Sequence, residues 1–428
     1  MELNLAKTSA VIPLIEAFQN RAHPARARAD LAQALYRLYL READKRILET
    51  LIAGLEDPDA PVRAIVARTL GDLRKGEAAS PLIALLGREP DAVVRQEILV
   101  ALESTGMERV ESGADDVPGS EIKTGGITAA EHAHFTDLLV DMARSDWPDS
   151  LHLKTWEWLE ILAEEKAIEA QKQILQANLQ EAEALLLAAR DLVPDSKNIH
   201  QKLGRFYYDN GDPEKGLKIL TEVGLATRAG RLATRPQIDG VLEEPAWQNI
   251  VPLTNFYQAI WKMRAYPIEG KAEVYLGYLG NSLYVGVKGY EPSTANLAAA
   301  STQRDDGMIS RDDCIEIFMD TNHDYRTYFQ MIVNSLGAIN DKYRKENGSW
   351  EWDWNGGFNL VTKVEDTFWT IEIEIPADQL HQSKIQSGDI WGFNIARVRI
   401  ANASEYGQWT PTYGDAHRPD RFGFLIFD

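Results

Sequence analysis

Cysteine is nearly absent from this chain of 428 residues: Cys314 stands alone. An intrachain disulfide, a multi-cysteine zinc site, an iron–sulfur cluster and a Cys-x-x-Cys-His haem attachment are therefore excluded. Long apolar runs are missing too, and nothing approaches the ~18 consecutive residues that a membrane span needs. Positive charge is in short supply. Lys and Arg number 45 against 65 Asp and Glu, a formal net charge of −20. Such a surface repels phosphate backbones and anionic lipid, which argues against nucleic-acid partners and polybasic membrane contacts. Neutral sugars, cations and basic proteins remain. No Gly-x-Ser-x-Gly elbow, P-loop, Gly-x-Gly-x-x-Gly or His-Glu-x-x-His occurs, and no motif ties a carboxylate pair to acid–base work.

What is present is ample core material. Apolar residues make up 44% and charged residues 26%, and at about 150 residues per domain the length predicts two to three domains. The opening MELNLAKTSAVIPLIEAFQN carries Glu2, Lys7 and Glu16, a pattern that predicts an amphipathic helix and shows no signal peptide.

Repeats come next. Residues 57–63 read DPDAPVR and residues 89–95 read EPDAVVR, 32 positions apart, with a weaker HPARAR at 23–28. Each is followed and preceded by an amphipathic segment, such as RILETLIAGL before and AIVARTLGDL after. Asp caps a helix start and Pro suits its first turn, so each copy reads as the bend of a helix pair. Residues 8–104 resemble HEAT repeats on these grounds. Residues 108–127 are rich in Gly and acids without periodicity, and predict a linker. Thr128 with Glu131 predicts a capping box, and helical patterning runs on to residue 226. Within it, Leu203, Gly204 and Tyr207 resemble part of a tetratricopeptide repeat, where Gly lets paired helices approach closely.

After Arg228 the period changes from 3.6 to 2. Eight of the eleven tryptophans lie in the last 200 residues. AEVYLGYL, SLYVGVKGY, CIEIFMD, YFQMIVNS, FNLVTKV, FWTIEIEIP, WGFNIARVRI and FGFLIF all read as strands. Eight short strands without helices between them predict an antiparallel β-sandwich. The expected architecture is multidomain α + β, an α-solenoid followed by a sandwich: HEAT-like repeats at 1–107, linker 108–127, tetratricopeptide-like helices at 128–226 and sandwich 227–428.

Seven segments of the sandwich, IDGVLEEPAW (238–247), SLYVGVKGY (282–290), DDCIEIFMD (312–320), YFQMIVNSLG (328–337), WTIEIEIP (369–376), WGFNIARVRI (391–400) and RPDRFGFL (418–425), resemble the family-9 carbohydrate-binding modules. The resemblance implies a non-catalytic sugar binder, export to the periplasm or cell exterior, and in some members structural calcium. It departs at three places. Family members hold the sugar between two tryptophans where Ser310 and Ala416 or His417 stand here, and carry an arginine where Ile332 stands; Glu316 and Asp313 match.

Alternation places Ile315, Ile317 and Met319 on one face of their strand and Glu316 on the other. It predicts a shared polar face of Glu316, Gln330, Asn334, Arg397 and Arg399, the paired donors and acceptors that replace a sugar's hydration. In SWEWDW (349–354), Trp350, Trp352 and Trp354 are expected on one side as stacking platforms, with Trp352 or Trp354 at the site, and Trp409 is a further candidate. A solvated, ion-paired sheet face is the competing reading of the polar set, and core packing that of the tryptophans. The loop DTNHD offers Asp320, Asn322 and Asp324 at alternate positions, which suits calcium, although such clusters also build plain turns. The expected function is carbohydrate binding, of a mono-, oligo- or polysaccharide, with no cofactor required and with the helical repeats docking a protein partner or serving as a spacer. The alternatives are a scaffold that has lost sugar binding and a glycoside hydrolase.

Overall fold

The computed structural model describes residues 10–105, 127–259, 264–402 and 404–428. Nearly all of the expected linker 108–127, and Trp261, lie outside the described residues. The chain divides into two compact units, Met1–Pro194 and Asp195–Asp428. No helix among the described residues is long and apolar enough to cross a membrane.

The first unit is helical. Its elements are α1 (Val11–Gln19), α2 (Ala25–Glu42), α3 (Lys45–Ala53), α4 (Ala60–Leu73), α5 (Ala79–Leu86), α6 (Ala92–Ser104), α7 (Ala129–Ala143), α8 (Asp149–Leu175) and α9 (Leu179–Leu192). The Asp-Pro segments make the bends as expected, and Asp91 accepts from the amides of Val93 and Val94 at the start of α6. Gly71 lets α4 meet α6, since a Cβ there would lie 2.7 Å from the Ala101 Cα. Thr128 and Glu131 form the predicted capping box on α7.

The motif's last residue also has a structural task. Arg28 donates to both Asp57 oxygens, at 3.0 and 2.9 Å, and Arg63 donates to both Glu89 oxygens at 2.7 Å. Each arginine thus grips the acid that opens the next copy. Asp57 and Glu89 in turn accept from the amides of Asp59 and Asp91. Arg95 has no third acid of this kind among the described residues. It donates to the Glu89 carbonyl at 2.5 Å and lies over the Trp147 ring.

The second unit opens with α10 (Lys197–Asp209) and α11 (Pro213–Glu222), followed by thirteen strands among the described residues. Their 3.6 period groups these two helices with the preceding ones in the sequence, but in the structure they pack on the strands. Leu220, Leu225, Ala226, Phe424 and Ile426 form one buried cluster, with Tyr208, Leu217 and Val223 against it. Gly204 and Gly216 mark the crossing of the pair: a Cβ on Gly216 would meet the Gly204 carbonyl at 2.5 Å.

The strands are β1 (Ala226–Arg231), β2 (Tyr257–Gln258), β3 (Ala272–Leu279), β4 (Ser282–Tyr290), β5 (Cys314–Asp320), β6 (Tyr328–Asn334), β7 (Ile339–Arg344), β8 (Trp350–Glu351), β9 (Asn359–Glu365), β10 (Phe368–Pro376), β11 (Ile390–Arg399), β12 (Glu405–Gln408) and β13 (Gly423–Phe427). They run in the order β8-β7-β6-β5-β11-β13-β1-β3-β4-β10-β9, with β12 also on β11. The pairing is antiparallel except at β1, which lies parallel to β13 through Ala226–Ala229 and to β3 through Gly230–Arg231. This strand joins the two sheets of the sandwich. Between them lies the main core, with Ile315, Ile317, Met319, Phe329, Met331, Val333, Ile371, Ile373 and Trp391 all buried.

On the far side of the second sheet, Glu372 explains two of the sequence segments. It accepts from the Trp247 indole at 2.9 Å and from the amides of Asp239 and Gly240 at 3.0 Å. One buried carboxylate in WTIEIEIP therefore ties down IDGVLEEPAW. Gly240 supplies the positive φ of 79° that this turn requires.

Candidate functional site

In an antiparallel pair, residues directly opposite share a face. Glu316 of β5 stands opposite Ile332 of β6 and Ala396 of β11, and Ala396 stands opposite Gln408 of β12. Gln330, one step along, faces Lys342 of β7, and Tyr328 faces Arg344. The outer face of the first sheet therefore collects Glu316, Gln330, Lys342, Arg344 and Gln408. Small Ala396 leaves room on the β11 side for Tyr406, whose hydroxyl reaches Glu316.

Glu316 is buried, and burial pushes its carboxyl upward, opposed by hydrogen bonds from Gln330 and Tyr406 and by the charge of Lys342. Gln330 donates to it at 3.0 Å and the Tyr406 hydroxyl at 3.2 Å. Burial likewise raises Tyr406 well above an ordinary phenol. Gln330 Oε1 and Gln408 Nε2 are buried with no hydrogen-bond partner among the described residues. One acceptor, next to the Glu316 carboxylate, and one donor, two strands away on the same face, are thus left over, and such orphaned groups are costly unless something satisfies them.

Aromatic rings wall this face. Trp350 and Trp352 lie 5.8 Å apart, and Trp352 is 62% exposed. Tyr328 meets Trp350 edge-on at 5.6 Å and bonds His417 Nδ1 at 2.9 Å. Burial lowers the His417 pKa to about 4, so this ring is neutral at pH 7. Nothing in the strand pattern singles out Lys342, Tyr406 or Gln408. INDKYR does alternate, but which of its faces looks outward depends on a partner strand distant in sequence.

The expected shared face breaks up in part. Glu316 and Gln330 come together as predicted. Asn334 lies on the same side but is used up: it donates to Asp312 and the Ser301 carbonyl and accepts from the amides of Leu336 and Ala338. Arg397 and Arg399 point the other way, because register sets Arg397 opposite Ile315 rather than Glu316. Arg397 donates to Glu291 at 2.6 Å, and Arg399 grips both Glu291 oxygens at 3.0 and 2.9 Å. Burial lowers Arg397 to about 10. These two arginines are ion-paired, as the competing reading expects, but buried rather than on a solvated face. Asp313 is buried and accepts from the amides of Ala298 and Ile400, which fastens a loop.

The tryptophans are also redistributed. β8 ends at Glu351, so alternation stops before Trp354, which packs into the core against Phe329 at 4.8 Å. Trp409 is 2% exposed and lies against Phe393 in the same core. Both fill the sandwich rather than wall the outer face.

The Asp320, Asn322 and Asp324 loop spends its oxygens on its own turn. Asp320 accepts from the amides of Asp324 and Tyr325 at 3.2 and 2.8 Å. Asp324 accepts from the amides of Arg326 and Thr327, both at 2.7 Å, and from the Thr327 hydroxyl and Asn322. No group of three or more His, Cys, Asp or Glu among the described residues is placed to hold a metal ion. The loop also docks the helix pair. Tyr325 lies under the Arg205 guanidinium at 3.8 Å and donates to Asp209 at 2.9 Å, while His323 packs on Phe424 and Tyr208.

No curated protein matches the chain. Among solved structures, a family-9 carbohydrate-binding module from Caldicellulosiruptor kristjanssonii in complex with cellotriose is 20% identical, covering 47% of this chain and 94% of that one, with a TM-score of 0.36. A putative carbohydrate-binding protein from Bacteroides uniformis is 16% identical over 47% of this chain and 99% of that one, with a TM-score of 0.39. The CpcE–CpcF complex of phycocyanin lyase from Nostoc sp. is 17% identical over 50% and 83%, with a TM-score of 0.25. Family models match HEAT repeats at residues 8–103 and the carbohydrate family 9 binding domain-like family at residues 238–427. The chain thus carries a carbohydrate family 9 binding domain-like sandwich behind a run of HEAT repeats.

Proposed function

We propose that the sandwich binds carbohydrate without turning it over, on the outer face around Glu316, and that the HEAT repeats dock it to a protein partner. The observation that carries this reading is the unfinished hydrogen bonding at that face. Glu316 is an acceptor, and Gln330 Oε1 and Gln408 Nε2 are an unused acceptor and donor, while a sugar hydroxyl both donates and accepts. Trp352, the exposed indole nearby, offers an apolar face to sugar C–H groups. The family match supports the substrate class. The solved relative with 20% identity is a complex with cellotriose. Export, where polysaccharide is met, goes with this reading.

A glycan array with the full chain tests it. Binding to one glycan class, weakened at least tenfold by Glu316→Gln and by Trp352→Ala with no sugar released, is the expected result. A blank array at millimolar sensitivity, about −4 kcal/mol, overturns it and favours a scaffold. Release of reducing sugar that stops in Glu316→Gln would instead make the protein a hydrolase. Calcium in the Asp320–Asp324 loop would have to displace the loop's own amide hydrogen bonds. Melting temperatures measured in calcium and in chelator test that point.

A further inference from the structure

Resting on that reading, we infer that the glycan is acidic: a uronate-bearing saccharide whose carboxylate is held by Lys342 and Arg344. Both cations lie on the same outer face as Glu316, two positions apart on β7, opposite Gln330 and Tyr328. Lys342 is lodged over two indoles, with Nζ 4.4 Å from the Trp350 centroid and 4.6 Å from that of Trp352. The Arg344 guanidinium is 5.0 Å from Trp350. Neither side chain makes a hydrogen bond or ion pair among the described residues, although acids outnumber bases 65 to 45 in this chain. Other lysines of the sandwich behave differently: Lys345 pairs with Glu351 at 2.9 Å and Lys363 with Glu365 at 2.8 Å.

Two adjacent cations that lie on indoles and have no carboxylate bonded to them among the described residues make a site for an anion. Their place on Trp350 also matters. With Lys342 and Arg344 over its ring, and Tyr328 and His417 edge-on to it, Trp350 is no open platform for a neutral sugar ring. The ring system aims ammonium and guanidinium groups instead. Glu316 and Asp415 are the acids whose charge reaches Lys342, and Glu316 is held by Gln330 and Tyr406. The face is therefore bipolar. Hydroxyls meet Glu316, Gln330 and Gln408 at one end, and a carboxylate meets Lys342 and Arg344 at the other. A charge-assisted contact to a half-buried ammonium, away from bulk water, is the stronger kind of hydrogen bond.

The test is calorimetric titration of the full chain with oligogalacturonate, oligomannuronate and glucuronate-bearing xylan fragments, each beside its carboxyl-reduced form. At least one uronate should bind ten times more tightly than its reduced twin, with an advantage that shrinks as salt rises from 50 to 500 mM. Lys342→Gln and Arg344→Gln should each pull the ratio between the twins toward one. Circular dichroism melting confirms that the variants are folded. A reduced form that binds as well as its uronate, or a ratio that survives both substitutions, overturns the inference while sugar binding stands. No binding to any glycan, neutral or acidic, removes both.

Discussion

Arg63 reaches from one helical repeat into the next and donates two parallel hydrogen bonds, each of 2.7 Å, to the Glu89 carboxylate. Arg28 does the same to Asp57. Successive repeats are thus joined by charge-assisted forks as well as by apolar packing, and the same guanidinium of Arg63 also donates to the Asp57 carbonyl at 2.8 Å. The acid partner is buried in both cases, so the fork is what keeps a desolvated carboxylate tolerable.

Arg63→Ala should therefore destabilise the helical unit by about 3 kcal/mol, because it strands a buried charge. Adding Glu89→Leu should recover part of that loss. Urea unfolding of the single and double variants measures the coupling. Additive losses would show that the pair contributes only its separate contacts.

The α10–α11 hairpin belongs with the sandwich. Besides the Phe424 and Ile426 cluster, Gln201 donates to the Arg421 carbonyl at 2.7 Å. A fragment starting at residue 228 uncovers Phe424 and strips Tyr325 of Arg205 and Asp209. It is expected to aggregate or melt early, whereas a fragment of residues 195–428 should unfold in one cooperative transition. Equal melting temperatures for the two fragments would count against an integral role for the hairpin.

His323 makes this docking sensitive to acid. Burial, with the Arg205 charge, pushes its pKa down to about 4, below the unfolded value of about 6.5. The unfolded chain therefore takes up the proton first, and stability falls as pH drops from about 6.5 to about 4, by on the order of 3 kcal/mol from this group. His417 acts in the same direction. Asp320, raised to about 7 by burial, acts oppositely, since the folded state keeps its proton where the unfolded chain has lost it. His323→Gln should flatten the acid dependence of the unfolding free energy between pH 4.5 and 6.5. Parallel curves for the variant and the parent would dismiss the assignment.

Much of this was legible from local pattern. The strand segments AEVYLGYL, SLYVGVKGY and FWTIEIEIP coincide with β3, β4 and β10, because a half-buried strand writes its two faces into alternate residues. The Asp-Pro bends announced themselves through capping and the fixed φ of proline. Glu316 and Gln330 could be placed together because their strands share a face with an unbroken alternation.

The remainder depended on which strand lies beside which, and at what offset. Arg397 has the right chemistry for a sugar site, yet a register that sets it opposite Ile315 turns it inward to Glu291. Lys342, Tyr406 and Gln408 come to Glu316 only through β6, β11 and β12, from separations of up to about 90 residues. Periodicity is a property of neighbours along the chain, so it settles secondary structure and the faces of each element. A binding face is assembled across strands, and a one-residue change of register moves every side chain to the other side. The helical repeats, the sandwich and its family were therefore readable one element at a time, while the composition of the candidate site emerged only from the pairing of distant strands.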